Sequence, residues 1–415
     1  MRVCLVNTTD LVGGAERCSF DLHTGLRRRG HDCTLVVGRR LSDDPHTIPG
    51  HYPAWDWMPR AALHAYLGLT DTVLVTPLRL ALRHPAFRTA EVVNIHNMHG
   101  DYWNFWTVPL LARHRPVVLT LHDEWLYTGD CVYAYDCARW KQSCGRCPQM
   151  KLKFRPDLGG RDCTRVNLAL KRAALRRAHP GRVAVVSPSR WLAGRARESV
   201  LGRFPMHVIP NGIRVQDFEP RPQAEARERL NIPSGAVCFL MLANNLDDPR
   251  KGMPLLERML NRHTLPAGAR LLVAGNGAEA IAAKYPGLPL HSLGYLKGPS
   301  RLSDAYSAAD ALLLLSSADN LPYAGIEATT CACPIIALNA GGIGEIVEDG
   351  VNGWLLPAGL SAEGLAAALA GFSQLSSEQR RAMGRRGRER AMREFSEETF
   401  LDRYEKLFLE MAARA

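Results

Sequence analysis

The sequence predicts an α/β protein of two doubly wound domains facing a central cleft, and three observations carry the prediction. Apolar, strand-like runs alternate with helical stretches along the whole chain, the pattern of parallel sheets covered by helices on both faces. The 415 residues exceed what a single core usually holds. A segment dense in turn formers, Pro205 to Pro220, divides the alternation into two halves of similar grammar.

In the first half, Val3 to Asn7 reads as a strand and Ala15 to Arg29 as an amphipathic helix. Cys33 to Val37, Glu91 to Ile95, Val117 to Leu121 and Arg182 to Val186 read as later strands. In the second half, Val237 to Leu242, Ala269 to Ala274, Ala311 to Leu315 and Pro334 to Leu338 are buried-strand runs. Helical stretches such as Met253 to Asn261 and Leu302 to Ala308 separate them, and Ser396 to Ala413 closes the chain as an amphipathic helix. The expected domains are 1–205 and 206–395, with a terminal helix, 396–415, packing back on the first. Ligands are expected at the carboxyl ends of the strands that line the cleft.

The composition, 46% apolar and 22% charged, is ordinary for a globular chain. No apolar run reaches the ~18 residues of a membrane span. Met1 to Asn7 reads as a first strand rather than a signal peptide, so a cytoplasmic location is expected, with the 11 cysteines mostly as thiols. The net charge of +11 is uneven: residues 1–210 hold 30 Lys+Arg against 17 Asp+Glu, and residues 211–415 hold 22 against 24. Such a basic first half attracts a polyanion, an anionic lipid surface or a phosphorylated acceptor, or is arginine on solvated faces. A nucleic-acid-binding protein would interleave aromatic and basic residues on a recognised module, and the sequence carries none.

The turn after the first strand, Thr8 to Glu16, lacks G-x-G-x-x-G spacing, and the second strand ends Gly38-Arg39-Arg40 with no acid for a ribose diol. Both features argue against a dinucleotide site. Gly13-Gly14 still permits close backbone approach at a helix start, for an anion or a sugar; its plain alternative is a tight turn. The most informative stretch is Ser316-Ser317-Ala318-Asp319-Asn320-Leu321-Pro322-Tyr323-Ala324-Gly325-Ile326-Glu327-Ala328. It leaves a buried strand and opens a helix whose amides and positive dipole end suit a diphosphate-linked sugar. Glu327 falls in the first turns, where a carboxylate can accept from two vicinal ribose hydroxyls. Asp319 lies eight positions earlier, on the loop.

On these residues the chain resembles the retaining family-4 glycosyltransferases of the GT-B fold, with two Rossmann-like domains, over nearly its whole length. Within them it is similar to the bacterial exopolysaccharide (colanic-acid type) branch, where Asp-Asn-Leu-Pro is common. The family's acid-x7-acid signature matches Asp319 and Glu327, with Asp in place of the commoner first Glu. The resemblance implies that Glu327 binds the ribose. It also implies that Asp319 and the backbone of Asn320, Leu321, Pro322 and Tyr323 hold the transferred sugar; the shortened first acid argues against a nucleophile.

Asp247-Asp248-Pro249-Arg250-Lys251-Gly252 matches the second donor motif. Lys251 would neutralise the β-phosphate as charge builds on the leaving nucleotide. The arginine that family members carry upstream is Asn245 here, so Arg250 or the helix dipole would share the role. By the same resemblance, Leu293 to Leu296 lies where the base is held, Gly275 ends a strand of the donor-site layout, and Asn339 to Glu345 forms a loop closing the donor pocket. His122, at the end of a strand, would reach the donor sugar, and His96 and its neighbours the acceptor. The catalytic set so implied is His122, Lys251, Asp319 and Glu327; Gly13, Gly14, Arg250, Lys251, Gly275, Leu296, Asn320, Leu321, Pro322, Tyr323 and Glu327 would bind the donor.

The implied activity is retaining transfer of a hexose-type sugar from a UDP- or GDP-sugar to a glycan or polyprenyl-diphosphate-linked acceptor. That would serve exopolysaccharide or lipopolysaccharide synthesis at the inner membrane face, with no metal or cofactor needed for catalysis. The histidine pair invites a metal reading, for which the spacing offers no third ligand. A GT-B phosphorylase or sugar-phosphate synthase would call for a pyridoxal lysine region or a phosphate-binding insertion, and neither is seen. Finally, Cys131, Cys137, Cys144 and Cys147 are spaced C-x5-C-x6-C-x2-C. Four thiolates so grouped could hold a structural zinc tetrahedrally; ordinary reduced thiols, or a disulfide under oxidising conditions, are the alternatives.

Overall fold

The computed structural model describes residues 1–11, 13–50, 75–100, 102–149 and 162–414. It divides into two compact units, Met1–Pro210 with Phe400–Ala415, and Asn211–Thr399.

The first unit runs β1 (Arg2–Thr9), α1 (Gly14–Arg28), β2 (Asp32–Arg39), β3 (Thr47–Pro49), α2 (Thr76–Arg83), α3 (Pro85–Arg88), β4 (Val92–Ile95), α4 (Thr107–Leu111), β5 (Val117–Thr120), α5 (Thr164–Arg177), β6 (Val183–Ser187), α6 (Arg190–Arg197) and β7 (Met206–Val208). Its seven strands are all parallel, in the order β3-β2-β1-β4-β5-β6-β7. Strand order reverses between β1 and β4, which makes the carboxyl ends of those strands the expected ligand position. The central strands are apolar throughout because helices cover both faces; Val3 to Val6, Val117 to Leu119 and Val183 to Val186 are almost fully buried.

The boundary differs from the sequence expectation. Met206–Val208 pairs with Val185–Ser187 as an edge strand of the first sheet, so the first unit runs on to Pro210 rather than 205. Its three residues are only half-buried and follow a proline, which reads as linker. At the other end, Phe400 onward belongs to the first unit. There the last helix buries Phe400, Leu401, Tyr404, Leu407, Phe408 and Met411, a three-and-four spacing that makes one apolar stripe. Tyr404 Oη lies 3.1 Å from Thr120 Oγ1, and Glu405 accepts from Arg29 (2.8 Å) and His31 (2.7 Å).

The second unit holds α7 (Gln223–Arg229), β8 (Val237–Asn245), α8 (Met253–Arg262), β9 (Ala269–Asn276), α9 (Ala278–Lys284), β10 (Leu290–Gly294), α10 (Gly298–Ala308), β11 (Ala311–Leu314), α11 (Tyr323–Thr330), β12 (Ile335–Leu338), β13 (Gly353–Leu356), α12 (Ala362–Ser373) and α13 (Ser377–Glu394). Its six parallel strands take the order β10-β9-β8-β11-β12-β13, reversing between β8 and β11. A register shift between Leu242 and Asn245 breaks the β8–β9 ladder just below the strand ends. Gly275 occupies the break at φ 131°, where a Cβ would stand 1.8 Å from the Ala243 carbonyl oxygen. Only glycine fits there.

Candidate active site

In the second unit the site is built at the β8/β11 reversal. Gly252, at φ 96°, lets the turn after Asp247 pass under the end of β11; a Cβ there would meet the Leu315 carbonyl oxygen at 2.2 Å. That packing sets the Arg250–Lys251 pair against the β11–α11 loop. Lys251 Nζ lies 2.6 Å from Asp319 Oδ2, and Arg250 Nη1 donates to the Ala318 carbonyl at 3.1 Å. Asp248 orients Arg250 through its Nη2 (2.9 Å). Asp319 is nearly buried, and two positive groups balance its charge: Lys251 and, at 3.4 Å, Arg250. Asn245, by contrast, is exposed and caps its own turn by accepting from Asp247 N–H (3.0 Å). Arg250 supplies the second cation beside Asp319.

The loop itself is held from below. Gly342 N–H donates to the Asp319 carbonyl at 2.9 Å, and a Cβ at Gly341 would strike the same oxygen at 1.9 Å. Asn211 donates to the Leu321 carbonyl (2.9 Å). Asp319 Oδ1 accepts the Asn320 amide (3.1 Å), and Pro322 has no N–H, so of the four expected backbone groups Pro322 can shape the helix start but not donate.

Glu327 lines a pocket of about 150 Å³ together with Leu242, Ala243, Asn244, Gly275, Tyr295 and Leu296. Gly275, Leu296 and Glu327 thus share one pocket. Tyr306 Oη donates to Glu327 Oε2 at 2.7 Å and fixes the orientation of the buried carboxylate. Nothing in the sequence marks this tyrosine, which lies in the last turn of α10 and reads as core. Tyr295 donates to Asn244 Oδ1 (3.0 Å) across the pocket mouth.

In the first unit, His122 follows β5 and His96 follows β4, with His96 Nδ1 and His122 Nε2 3.0 Å apart and the rings stacked. Burial holds both imidazoles neutral: His96 falls well below its usual pKa and His122 to about 4. His96 Nε2 is buried with no hydrogen-bond partner among the described residues. The sequence offered no third metal ligand, but the fold brings one: Cys18 from α1 lies with its sulfur and the two imidazole nitrogens within 4.8 Å of one another. The 3.0 Å contact between the rings is nonetheless a hydrogen-bond length. Next to this pair, Asp123 Oδ2 takes His99 Nε2 at 2.7 Å. Burial opposes the Asp123 charge, yet His99 and the Trp125 amide hold it below the usual carboxylate range.

Gly13, at φ 108°, caps α1 before Gly14, and a Cβ there would meet Glu16 Oε2 at 2.3 Å. The chain's own carboxylate therefore sits at this helix start, with its pKa raised by burial. An incoming anion would have to displace Glu16; a neutral sugar hydroxyl would not. Among the arginines of the basic first half, Arg29 pairs with Asp402 and Glu405, and Arg172 donates to the Trp140 and Lys141 carbonyls. Arg28, Arg176 and Arg177 are exposed, while Lys151, Lys153, Arg155 and Arg161 lie outside the described residues.

Two family models match the chain: Glycosyltransferase Family 4 over residues 12–217, and Glycosyl transferases group 1 over residues 223–390. A D-inositol 3-phosphate glycosyltransferase of Segniliparus rotundus is 32% identical over 403 residues, covering 90% of this chain and 80% of that one. The chain belongs to the group 1/family 4 glycosyltransferases. WcaC of Escherichia coli (strain K12), a glycosyl transferase named for colanic acid biosynthesis, is 24% identical to this glycosyltransferase over 84% of its length and 85% of its own. Among solved structures, a sucrose-phosphate synthase from Thermosynechococcus elongatus superposes with a TM-score of 0.73 at 19% identity, covering 100% and 99% of the two chains. HepE from Anabaena, in complex with UDP, gives 0.69 at 16%, covering 99% and 100%. These likenesses carry the GT-B fold. No helix among the described residues is long and apolar enough to cross a membrane.

Proposed function

We propose that this glycosyltransferase moves a hexose-type sugar from a UDP- or GDP-sugar, with retention and without a metal, to a glycan or lipid-linked glycan acceptor of a surface polysaccharide. The observation that carries the donor assignment is the second unit's cationic pair, Arg250 and Lys251, set against the loop that opens α11, with Glu327 on that same helix. Glu327, oriented by Tyr306, would take the ribose hydroxyls in the pocket shared with Gly275 and Leu296. Lys251 and Arg250 would turn to the diphosphate, while Asp319 and the Leu321 and Tyr323 backbone receive the sugar.

In the step itself the bond from the anomeric carbon to the phosphate oxygen breaks, and the acceptor oxygen bonds to the same face of that carbon. The acceptor's proton passes to the departing β-phosphate oxygen, so no protein base is needed. The protein contributes position and charge stabilisation. Neutral His122 would donate a hydrogen bond to a sugar hydroxyl without adding charge, and Gly13-Gly14, with Glu16 behind them, suit a sugar more than an anion.

WcaC and the lipopolysaccharide glycosyltransferase WaaG, a structural neighbour with a TM-score of 0.63 at 16% identity, support the polysaccharide reading by name. The basic first half supports an acceptor presented at an anionic membrane face. A second reading, a small phosphorylated polyol as acceptor, is favoured by the 32% identity to the inositol phosphate enzyme. A panel of nucleotide sugars read by ligand-observed NMR identifies the donor. Incubating it with lipid-linked glycan and, separately, D-inositol 3-phosphate then discriminates the acceptors. Product with the inverted anomeric configuration would overturn retention, and binding of none of the UDP- or GDP-sugars would overturn the donor assignment.

A further inference from the structure

Between β5 and α5 the chain runs for more than forty residues, whose described part contains only single 3-10 turns, Trp125–Tyr127 and Arg139–Lys141. The described part, with only single turns, needs something else to fix it. Part of the answer is polar. Arg139 Nη1 donates to the Gly145 and Arg146 carbonyls (3.1 and 3.0 Å), Arg172 to those of Trp140 and Lys141, and Thr164 and Asp162 accept the Gly145 and Cys147 amides (3.0 and 2.8 Å). These bonds hold an unusual turn. Cys144, Gly145 and Arg146 take φ values of 54°, 85° and 49°, three left-handed residues in succession of which two carry a Cβ. Such backbone persists only where its surroundings enforce it.

The turn aims Cys144 and Cys147 at the same place as two cysteines from earlier in the loop. Cys131, Cys137, Cys144 and Cys147 all line one cavity of about 20 Å³, together with Ala134, Trp140 and Pro148. That is room for about one atom of water size or an ion. Cys163, on the same stretch, does not line the cavity.

We propose that Cys131, Cys137, Cys144 and Cys147 bind one structural zinc ion as a tetrathiolate. Zinc takes four thiolates tetrahedrally at about 2.3 Å and has no other geometric demand, so a loop can wrap it. The resulting centre carries two net negative charges, which Arg139 and Arg172, already bound to the loop's carbonyls, are placed to offset. Zinc then cross-links the two halves of the loop, from Cys131 to Cys147, and makes the left-handed turn the stable one. It is structural: all four positions are filled by protein, leaving none for a substrate or water.

The test uses the full chain, purified in reductant without a metal-affinity tag. Elemental analysis and native mass spectrometry should give close to one zinc per chain. Cobalt substitution should give the visible bands of a tetrahedral site with thiolate charge transfer, and the native protein should protect four of its 11 cysteines from alkylation until a chelator is added. The C144S/C147S double variant should lose the metal, and C163S should keep it. If the double variant does not fold, the metal count and cobalt spectrum of the native chain still decide. A folded, reduced native chain with far less than one zinc overturns the proposal. So does zinc retained by C144S/C147S, or a Cys144–Cys147 disulfide persisting in reductant.

Discussion

The two units have nearly the same sheet and different electrostatics at the strand ends of the candidate site. Each is a parallel sheet whose strand order reverses beside its first strand, at β1/β4 and at β8/β11. At β8/β11 the chain places charge: Lys251, Arg250 and Asp319 within 3.4 Å contacts, and a buried Glu327 held by a phenol. At β1/β4 burial holds a pair of imidazoles neutral and raises the pKa of Glu16. The topology supplies the position, and the residues at the strand ends decide whether that position handles an anion or a neutral polar group.

The largest expected effect tests the charged side. Lys251→Ala should lower kcat by roughly 10²–10³, the cost of removing one preorganised group from developing charge. The donor KM should rise less. A loss confined to KM would break the assignment of charge stabilisation to the second unit.

Glu327→Gln should weaken nucleotide binding by about 1–3 kcal/mol, because it strands buried hydrogen-bond partners. Tyr306→Phe should cost about 1 kcal/mol in the same titration and little more in the Gln background, since the phenol acts through the carboxylate. Full additivity of the two would mean that Tyr306 does not work through Glu327.

The uncharged side is tested by pH. His96 and His122 have folded pKa values below the unfolded value of about 6.5. The unfolded chain therefore binds more protons on these rings as pH falls. Stability is complete above pH ~6.5 and is lost between there and about 4, by ~1–3 kcal/mol for His122. Denaturant titrations of His122→Asn across that window should show a shallower loss than the native chain. Equal slopes would mean that His122 is not held neutral.

The smallest effect concerns the surface of the first unit. Replacing exposed Arg28, Arg176 and Arg177 by Gln should each cost about 1 kcal/mol of binding to anionic vesicles, with strong salt dependence. Equal flotation with neutral vesicles would remove the membrane from the proposed acceptor side.

What could be read in advance follows burial. The strands expected from apolar runs, such as those at Val3, Val117, Ala269 and Ala311, are the interior ones, covered on both faces. The strands not expected, β3, β7, β10 and β13, are the four sheet edges. Edge strands here are short or half-exposed, with histidine, serine, glycine and proline among them, so they carry no continuous apolar signature. The position of β7 also moved the first unit's boundary from 205 to 210.

The candidate site divides in the same way. Asp319, Glu327, Arg250 and Lys251 were legible because each lies in a local motif, a loop running into a helix, whose spacing is fixed along the chain. The groups that act on them come from elsewhere: Tyr306 from α10 to Glu327, Gly341 and Gly342 beneath Asp319, Cys18 from α1 beside the histidines. Sequence alone determined the two-sheet α/β class and the residue types offered at the strand ends proposed to carry function, because period and motif spacing are properties of a few consecutive residues. Tertiary structure alone decided which cation meets Asp319, that Glu16 covers the start of α1, and that His122 is neutral. Those outcomes depend on through-space distance and on burial, which segments distant in the chain create only when they pack together.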